Sequence, residues 1–386
     1  MHFAFAALFF FGILTLWVPG YWPVTVFQVG IFALAAVVLW RARLFPPAFA
    51  WPVVPLSAAV LCGLIQWLTG RSMSAMDTNV AILQWTTFLC VFVIGLSLFR
   101  DNAVRVWFRS IILWFTFIVA VLATLQNFTA KGKVFWFFVT PYVESAMGTI
   151  LNRNHYAAFI EVVLPIALYL AVVREHDSLL YAGVAATLYA SVITSASRAG
   201  VVLSTAEVML VPLLLWGRRR TDGRKVVKAF IGLAVLSVVF SAVVGWDAVW
   251  ARLWTADPLA VRRELSLASL HMVGAHPWLG SGLGTWATVY PSFALIDTGT
   301  IANQAHDDWL QWAAEGGVPF GMLLTTLFFW ALRPALRSVW GIGVLAFFLH
   351  ATVDFPFSRP VLGSWAIVVL ALVALTPAED LRETAP

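Results

Sequence analysis

Charge is what this sequence has least of. Only 11% of its 386 residues are Asp, Glu, Lys or Arg, against about 25% in a soluble domain. So few charges cannot clothe a globular surface, which excludes an ordinary soluble enzyme. Cysteine is nearly absent. Cys62 and Cys90 both lie inside apolar runs, where they read as small buried residues rather than a disulfide or metal ligands. The histidines are scattered, with no H-x3-H and no C-x2-C spacing, so no metal site is expected. There is no D-x-D for a divalent ion on a sugar diphosphate and no G-x-S-x-G nucleophile elbow. No Walker sequence points to an ATPase on this chain. The N-terminal MHFAFAALFF has neither a Lys/Arg n-region nor an A-x-A site. It reads as a first membrane helix that is retained.

Apolar residues fill the space. The chain is 61% hydrophobic with a mean hydropathy of +0.87, more than a globular core can hide and suited to a bilayer. The expected fold is an all-α polytopic membrane protein forming one transmembrane domain over 1–386. Runs long enough to span number about twelve, at about residues 3–18, 24–40, 52–68, 79–99, 105–126, 155–173, 178–196, 199–217, 226–245, 314–332, 338–354 and 361–376. Pro19-Gly20, Pro46-Pro47, Pro141 and Pro356 punctuate their ends. Twenty Trp and thirty Phe fit aromatic belts at the interfaces.

With the N-terminus cytoplasmic, the inside connections hold fifteen of the 24 Lys and Arg residues, including Arg41, Arg43, Arg218-Arg219-Arg220, Arg224, Lys225, Lys228 and, in the tail, Arg382. The sign of the bias places both termini inside, and the net charge of +5 reads as that bias rather than nucleic-acid binding. Nine basic residues remain outside: Arg71, Lys131, Lys133, Arg153, Arg198, Arg252, Arg262, Arg263 and Arg359. The orientation rule gives them no reason to be there. Two outside connections are long, at 127–155 and 246–306. Loops beyond about 15 residues are usually functional or disordered, and the second is too aromatic for disorder. Within it, 259–273 has helical spacing with Leu265, Ala268 and Met272 on one side, as for a helix at or near the membrane surface.

The outside charges are candidate chemistry. Asn152-Arg153-Asn154-His155 opens a helix, where an Asn cap and free N–H groups favour anions; snorkelling with capping is the plain alternative. Arg198 sits in a very short turn, SASRAG. It either pairs with Glu161 or Glu207 or faces an anionic ligand. Arg262-Arg263-Glu264 is a solvated face or a guanidinium fork for phosphate. Gly280-Ser281-Gly282-Leu283-Gly284 lacks the strand of a dinucleotide motif and reads as a tight turn; Trp278 and Trp286 beside it stack on sugar or sit in the interface. His306 has Asp307 and Asp308 adjacent, which can raise its basicity or orient a tautomer. His350 and Asp354 stand at i and i+4 and share a helix face, as a supporting pair or a structural hydrogen bond.

Four stretches carry a family likeness: GTILNRNHYAAF, SASRAG, VRRELSLASLHMVGAHPWLGSGLGTW and AHDDWLQWAAEGGVPFG. With the helix order and the single large loop between helices 9 and 10, the chain over 148–357 resembles the O-antigen ligase family of bacterial membrane proteins, which also takes in polymerases of lipid-linked sugars. The likeness implies a GT-C-like glycosyltransferase of the inner membrane with its site facing the periplasm. It implies transfer of a glycan from undecaprenyl diphosphate to a lipid A core or similar acceptor, inverting, with no metal and no cofactor. The family's essential histidine falls on His306, its helix-junction arginine on Arg198 and its loop arginine on Arg262, with Arg263 in the adjacent register; Arg153 assists. His155, His350, Asp354, Asp307 and Asp308 are supporting residues. The chain departs from the pattern at Ser266, where the family often has Trp, and at Asp307, where H-N-D is common. A polymerase of repeat units is the second reading. A flippase of the lipid-linked sugar is the third, kept open by Glu161 and Glu207.

Overall fold

The computed structural model describes residues 1–42, 50–140, 146–174, 176–218, 260–295 and 302–376, with a few isolated positions between 219 and 259. The expected run at 226–245 falls almost wholly outside the described residues, as do Pro46-Pro47, Pro141, Arg43, Arg219, Arg220, Lys225, Lys228, Arg252 and Arg382. In chain order the helices are α1 (His2–Leu14), α2 (Trp22–Ala42), α3 (Val53–Leu68), α4 (Ala75–Leu98), α5 (Asn102–Thr129), α6 (Arg153–Glu161), α7 (Leu164–Val173), α8 (Ser178–Ser195) and α9 (Arg198–Gly217). They continue as α10 (Ala260–Ala275), α11 (Trp286–Val289), α12 (Asp308–Gly316), α13 (Val318–Ser338), α14 (Ile342–His350) and α15 (Pro360–Ala374). Among the described residues the only strand-like pairings are two isolated bridges.

Among the described residues, seven helical segments are long and apolar enough to cross a membrane: Trp22–Arg41, Ala75–Leu98, Asn102–Thr129, Arg153–Val173, Ser178–Ser195, Arg198–Gly217 and Val318–Ser338. Shorter apolar helices His2–Leu14, Val53–Leu68 and Pro360–Ala374 lie at three further expected runs. Over its described residues the chain is thus an all-helical, multi-pass membrane protein, the architecture that satisfies backbone groups without water. Cys62 and Cys90 lie half-buried and free in α3 and α4.

The core is built around α15. Every residue from Val361 to Val373 is buried, as expected of a helix hydrophobic all round. Helices α1, α2, α4, α6, α13 and α14 all pack on it. Trp365 at its centre is fully enclosed and meets Phe9, Phe115 and Phe159. His155, His306, Asp308 and Asp354 come together at the N-terminal mouth of this post.

Two expected spans are not continuous helices. The run at 155–173 breaks after Glu161, because Pro165 has no N–H to return to the carbonyl four residues earlier; Gly343 of α14 packs so closely that a Cβ there would lie 2.3 Å from the Glu161 carbonyl oxygen. The run expected to begin at about residue 314 is two helices. The short, buried α12 ends at Gly317, whose φ of +86° turns the chain into the spanning α13. Region 338–354 contains only the nine-residue α14.

Candidate active site

The segment that follows α10 is fastened to the bundle by two glycine turns that interlock. A Cβ on Gly280 (φ +64°) would fall 2.1 Å from the Glu315 carbonyl carbon, and one on Gly317 would fall 2.5 Å from the backbone of Trp278. Two backbones lie against each other where no side chain fits, so GSGLG and the Gly-Gly turn are one device. Gln66 of α3 holds it. Its amide donates to the carbonyls of Leu279 (2.6 Å) and Glu315 (2.9 Å), and its oxygen accepts from Leu283 N (2.8 Å). Replacing Gly280 by Ala adds both the clash and a left-handed strain, so the variant is expected to lose most of its folded yield. Size-exclusion recovery in detergent measures it; recovery equal to the parent would show that the turns are not interlocked.

Glu315 closes the fastening. Its buried carboxylate accepts from Gly284 N (2.8 Å), Trp286 N (3.1 Å) and Gln311 Nε2 (3.0 Å). Burial pushes the carboxyl up to about 7, while these donors pull it down. A folded carboxyl above its unfolded value of 4.5 binds its proton more tightly than the unfolded chain does. Its stabilising contribution is full below about 4.5 and is lost as pH rises through about 7. The melting temperature should therefore carry a downward component from pH 5 to 8, and Glu315→Gln should flatten it; an unchanged slope in thermal melts of that variant would contradict this account.

Helix α10 matches the spacing of 259–273. Leu265, Ala268 and Met272 are all buried. Instead of facing lipid, however, they join a small core with Trp286, Tyr290, Ala305 and Ala314. Glu264 at its start is buried and accepts from Tyr290 Oη (2.6 Å) and Leu295 N (3.0 Å). Trp286 is likewise enclosed, stacked on Tyr290 and bonded to Ser269, and so is structural. Trp278 is 77% exposed.

His306 stands just before α12 with a φ of +57°, a left-handed conformation uncommon for any residue but Gly. The turn is held on both sides. Ala305 N donates to Gln311 Oε1 (3.0 Å), Asp308 N donates to Ala351 O (2.9 Å), and Asp308 Oδ2 accepts from Phe357 N (3.0 Å). Asp307 caps α12 by accepting from Leu310 N (3.0 Å). Neither aspartate touches the imidazole, contrary to the expectation from adjacency; both are occupied with backbone. Burial raises both carboxyls, Asp308 well above its ordinary range.

The carboxylate beside the histidine is Asp354. His306 Nδ1 lies 3.4 Å from Asp354 Oδ1, and His155 Nε2 lies 3.9 Å from Oδ2. These are electrostatic contacts, since none of the four atoms has a hydrogen-bond partner; such bonds often tighten only with substrate bound. Phe355 meets both imidazoles edge-on, at 4.6 Å from His306 and 4.8 Å from His155. Asp354 and His155 are buried, whereas His306 keeps 35% of its side chain open. His350 and Asp354 share a helix face in sequence but not a side-chain bond. His350 Nδ1 instead meets both oxygens of buried Glu161 at 3.0 Å. That occupies Glu161, while both Glu207 oxygens are buried without a hydrogen bond. Neither carboxylate is therefore the partner of Arg198.

Two helices begin side by side at this mouth, each with an arginine in its first position. Asn152 caps α6 by accepting from Asn154 N (2.8 Å), and Ser197 caps α9 by accepting from Gly200 N (3.2 Å). Ser197 Oγ also donates to Asn154 Oδ1 (2.9 Å), and Gly200 lies directly against Ala157. Arg153 and Arg198, both half-exposed, thus sit on adjacent N-termini. The charge of Arg262, on α10, is felt at His350, and that of Arg359, the cap residue of α15, at His155. Arg263 is exposed. Sequence reasoning counted Arg359 among the outside arginines but gave it no role; its further signal was its place immediately before Pro360 at a helix start. It also passed over Gln66, which carried no signal because its partners are more than 200 residues away.

Residues 182–326 match the family model described as O-antigen ligase. Over this stretch the chain is similar to the O-antigen ligase family. The stretch runs from α8 into α13 and contains Arg198, Arg262, Arg263, His306, Asp307 and Asp308. Arg153, His155, Glu161, His350 and Asp354 lie outside the matched stretch, and folding brings Asp354, with His155 behind it, to His306. No curated protein matches the chain.

Proposed function

We propose that the protein transfers a glycan from undecaprenyl diphosphate to an acceptor hydroxyl on a lipid A core or similar molecule. It works at the periplasmic face of a bacterial inner membrane, with both termini in the cytoplasm. The observation that carries this reading is a half-open imidazole backed by a buried aspartate, beside two arginine-bearing helix N-termini.

Asp354 faces Nδ1 of His306 and so favours the tautomer whose Nε2 is free to accept a proton. Nε2 takes the proton of the acceptor hydroxyl, a step worth about 10²–10⁴-fold. The oxygen attacks the anomeric carbon from the side opposite the diphosphate. The bond from that carbon to the phosphate oxygen breaks, its electron pair leaves with the diphosphate, and the configuration inverts. Arg198, Arg153 and Arg262, with Arg263 at the rim, meet the charge that develops there, as preorganised cations do at other leaving phosphates. Helix N-termini add their own attraction for anions. No cofactor or nucleotide sugar enters the scheme.

A polymerase of repeat units shares this donor chemistry and differs only in its acceptor. The test incubates purified protein with undecaprenyl-diphosphate glycan and either lipid A core or excess donor. Glycan on the core identifies a ligase, and a lengthened lipid-linked glycan identifies a polymerase. No product from either mixture, with the protein folded, overturns the assignment.

A further inference from the structure

The stretch between α5 and α6 has no part in the chemistry above, yet it is built with care. After Thr129 the chain doubles back. Val134 and Phe138 exchange both backbone hydrogen bonds at 2.9 Å. Phe135 N donates to Gln126 Oε1 (2.8 Å), and Trp136 Nε1 donates to Thr129 Oγ1 (2.7 Å). The hairpin is therefore laid alongside the last turns of α5. Its root is enclosed: Val134, Ala130 and Thr140 are buried, and Trp17 packs on Phe138 (4.5 Å) and Phe135 (6.3 Å).

Its tip is open. Trp136 is 37% exposed, Phe137 81%, Phe138 48% and Val139 77%. Four consecutive apolar residues pointing outward are a liability in water. The backbone is strained to present them, since Phe135 and Trp136 have φ of +50° and +65°, a region bulky side chains avoid. Strain held in place by specific hydrogen bonds points to a use. Leu125 and Phe128, on the turns the hairpin lies against, are themselves half-exposed on a membrane-crossing helix. Helix α5 has 28 residues, about 42 Å of rise against a hydrocarbon core of about 30 Å, so its end reaches the interface. Lys131 and Lys133, both exposed, follow at once. Aromatic side chains with adjacent lysines match a lipid surface bearing anionic headgroups.

We propose that the Val134–Phe138 hairpin is a membrane-inserted anchor. Trp136, Phe137 and Val139 enter the leaflet on the side of the candidate site, and Lys131 and Lys133 bind its anionic headgroups. The partner is the bilayer itself, independent of which glycan the enzyme transfers.

Site-directed spin labelling tests this. In a Cys62→Ala, Cys90→Ala background, Phe137→Cys carries a nitroxide and the protein is placed in nanodiscs of phosphatidylcholine with or without phosphatidylglycerol. Collisions with oxygen should exceed collisions with an aqueous nickel chelate, placing the label below the phosphates, and deeper with phosphatidylglycerol. Lys131→Glu with Lys133→Glu should abolish the added depth. A label freely reached by nickel would overturn insertion. One shielded from both reagents would overturn it in favour of a protein contact. Depth indifferent to lipid charge and to the lysine changes would remove the headgroup role. Val139→Cys repeats the reading if Phe137→Cys fails to fold.

Discussion

Replacing His306 should cost at least about 100-fold in transfer, the lower end of what a positioned base contributes. Two substitutions separate chemistry from architecture. His306→Ala removes the base but places a Cβ-only side chain at a φ of +57°. His306→Asn also removes the base, and Asn tolerates the left-handed region better than most residues. The turn itself is held by Asp308, Ala305 and Asp307 through backbone bonds that do not involve the imidazole. Both variants should therefore insert and melt like the parent while failing to transfer. Product formation from undecaprenyl-diphosphate glycan, read beside a thermal melt of the same preparation, makes the comparison. Near-normal transfer by His306→Asn would remove the base assignment. Loss of transfer together with a collapsed melt would show that the imidazole mainly holds Asp354 and Phe355 in place.

The second half of that alternative shows where sequence reading ended. That the chain spans a membrane was legible from its 11% charge and long apolar runs, because a bilayer tolerates little else. Helix α10 was legible from the spacing of Leu265, Ala268 and Met272. What covers that face was not, since the partners Trp286 and Tyr290 come from an aperiodic loop. The place of His306 after the loop was legible, but the carboxylate beside it was misread. Asp307 and Asp308 are adjacent in sequence, whereas left-handed geometry at His306 turns them into the cap and the anchor of α12. Asp354 arrives from 48 residues away because Asp308 is stapled to Phe357 and Ala351. The i, i+4 spacing of His350 and Asp354 was real and still misleading. α14 ends at His350, so Asp354 belongs to the turn beyond, and the two side chains part toward Glu161 and toward His306 and His155. The breaks at Glu161 and Gly317 were hidden inside hydropathy runs that a window average cannot divide.

Arg198→Lys should lower kcat/KM by about 10- to 100-fold, with the larger share in kcat. The substitution keeps a positive charge at the start of α9, so whatever Arg198 contributes as a charge survives. It discards the planar fork that meets two phosphate oxygens at once. If the guanidinium stabilises a diphosphate that gains charge only as the glycosidic bond breaks, the loss belongs to the transition state and appears in kcat. If it merely gathers the donor, the loss appears in KM, and lysine largely suffices. The start of α9 keeps its own supports: Ser197 caps the helix and bonds Asn154, and Gly200 makes the close approach to Ala157. Glu161 and Glu207, the carboxylates that offered a structural reason for Arg198, are committed to His350 or buried without a hydrogen bond. A lysine variant with full kcat would leave Arg198 as a point charge and move the bidentate role to Arg153 or Arg262. A variant that lost activity and thermal stability together would return it to structure.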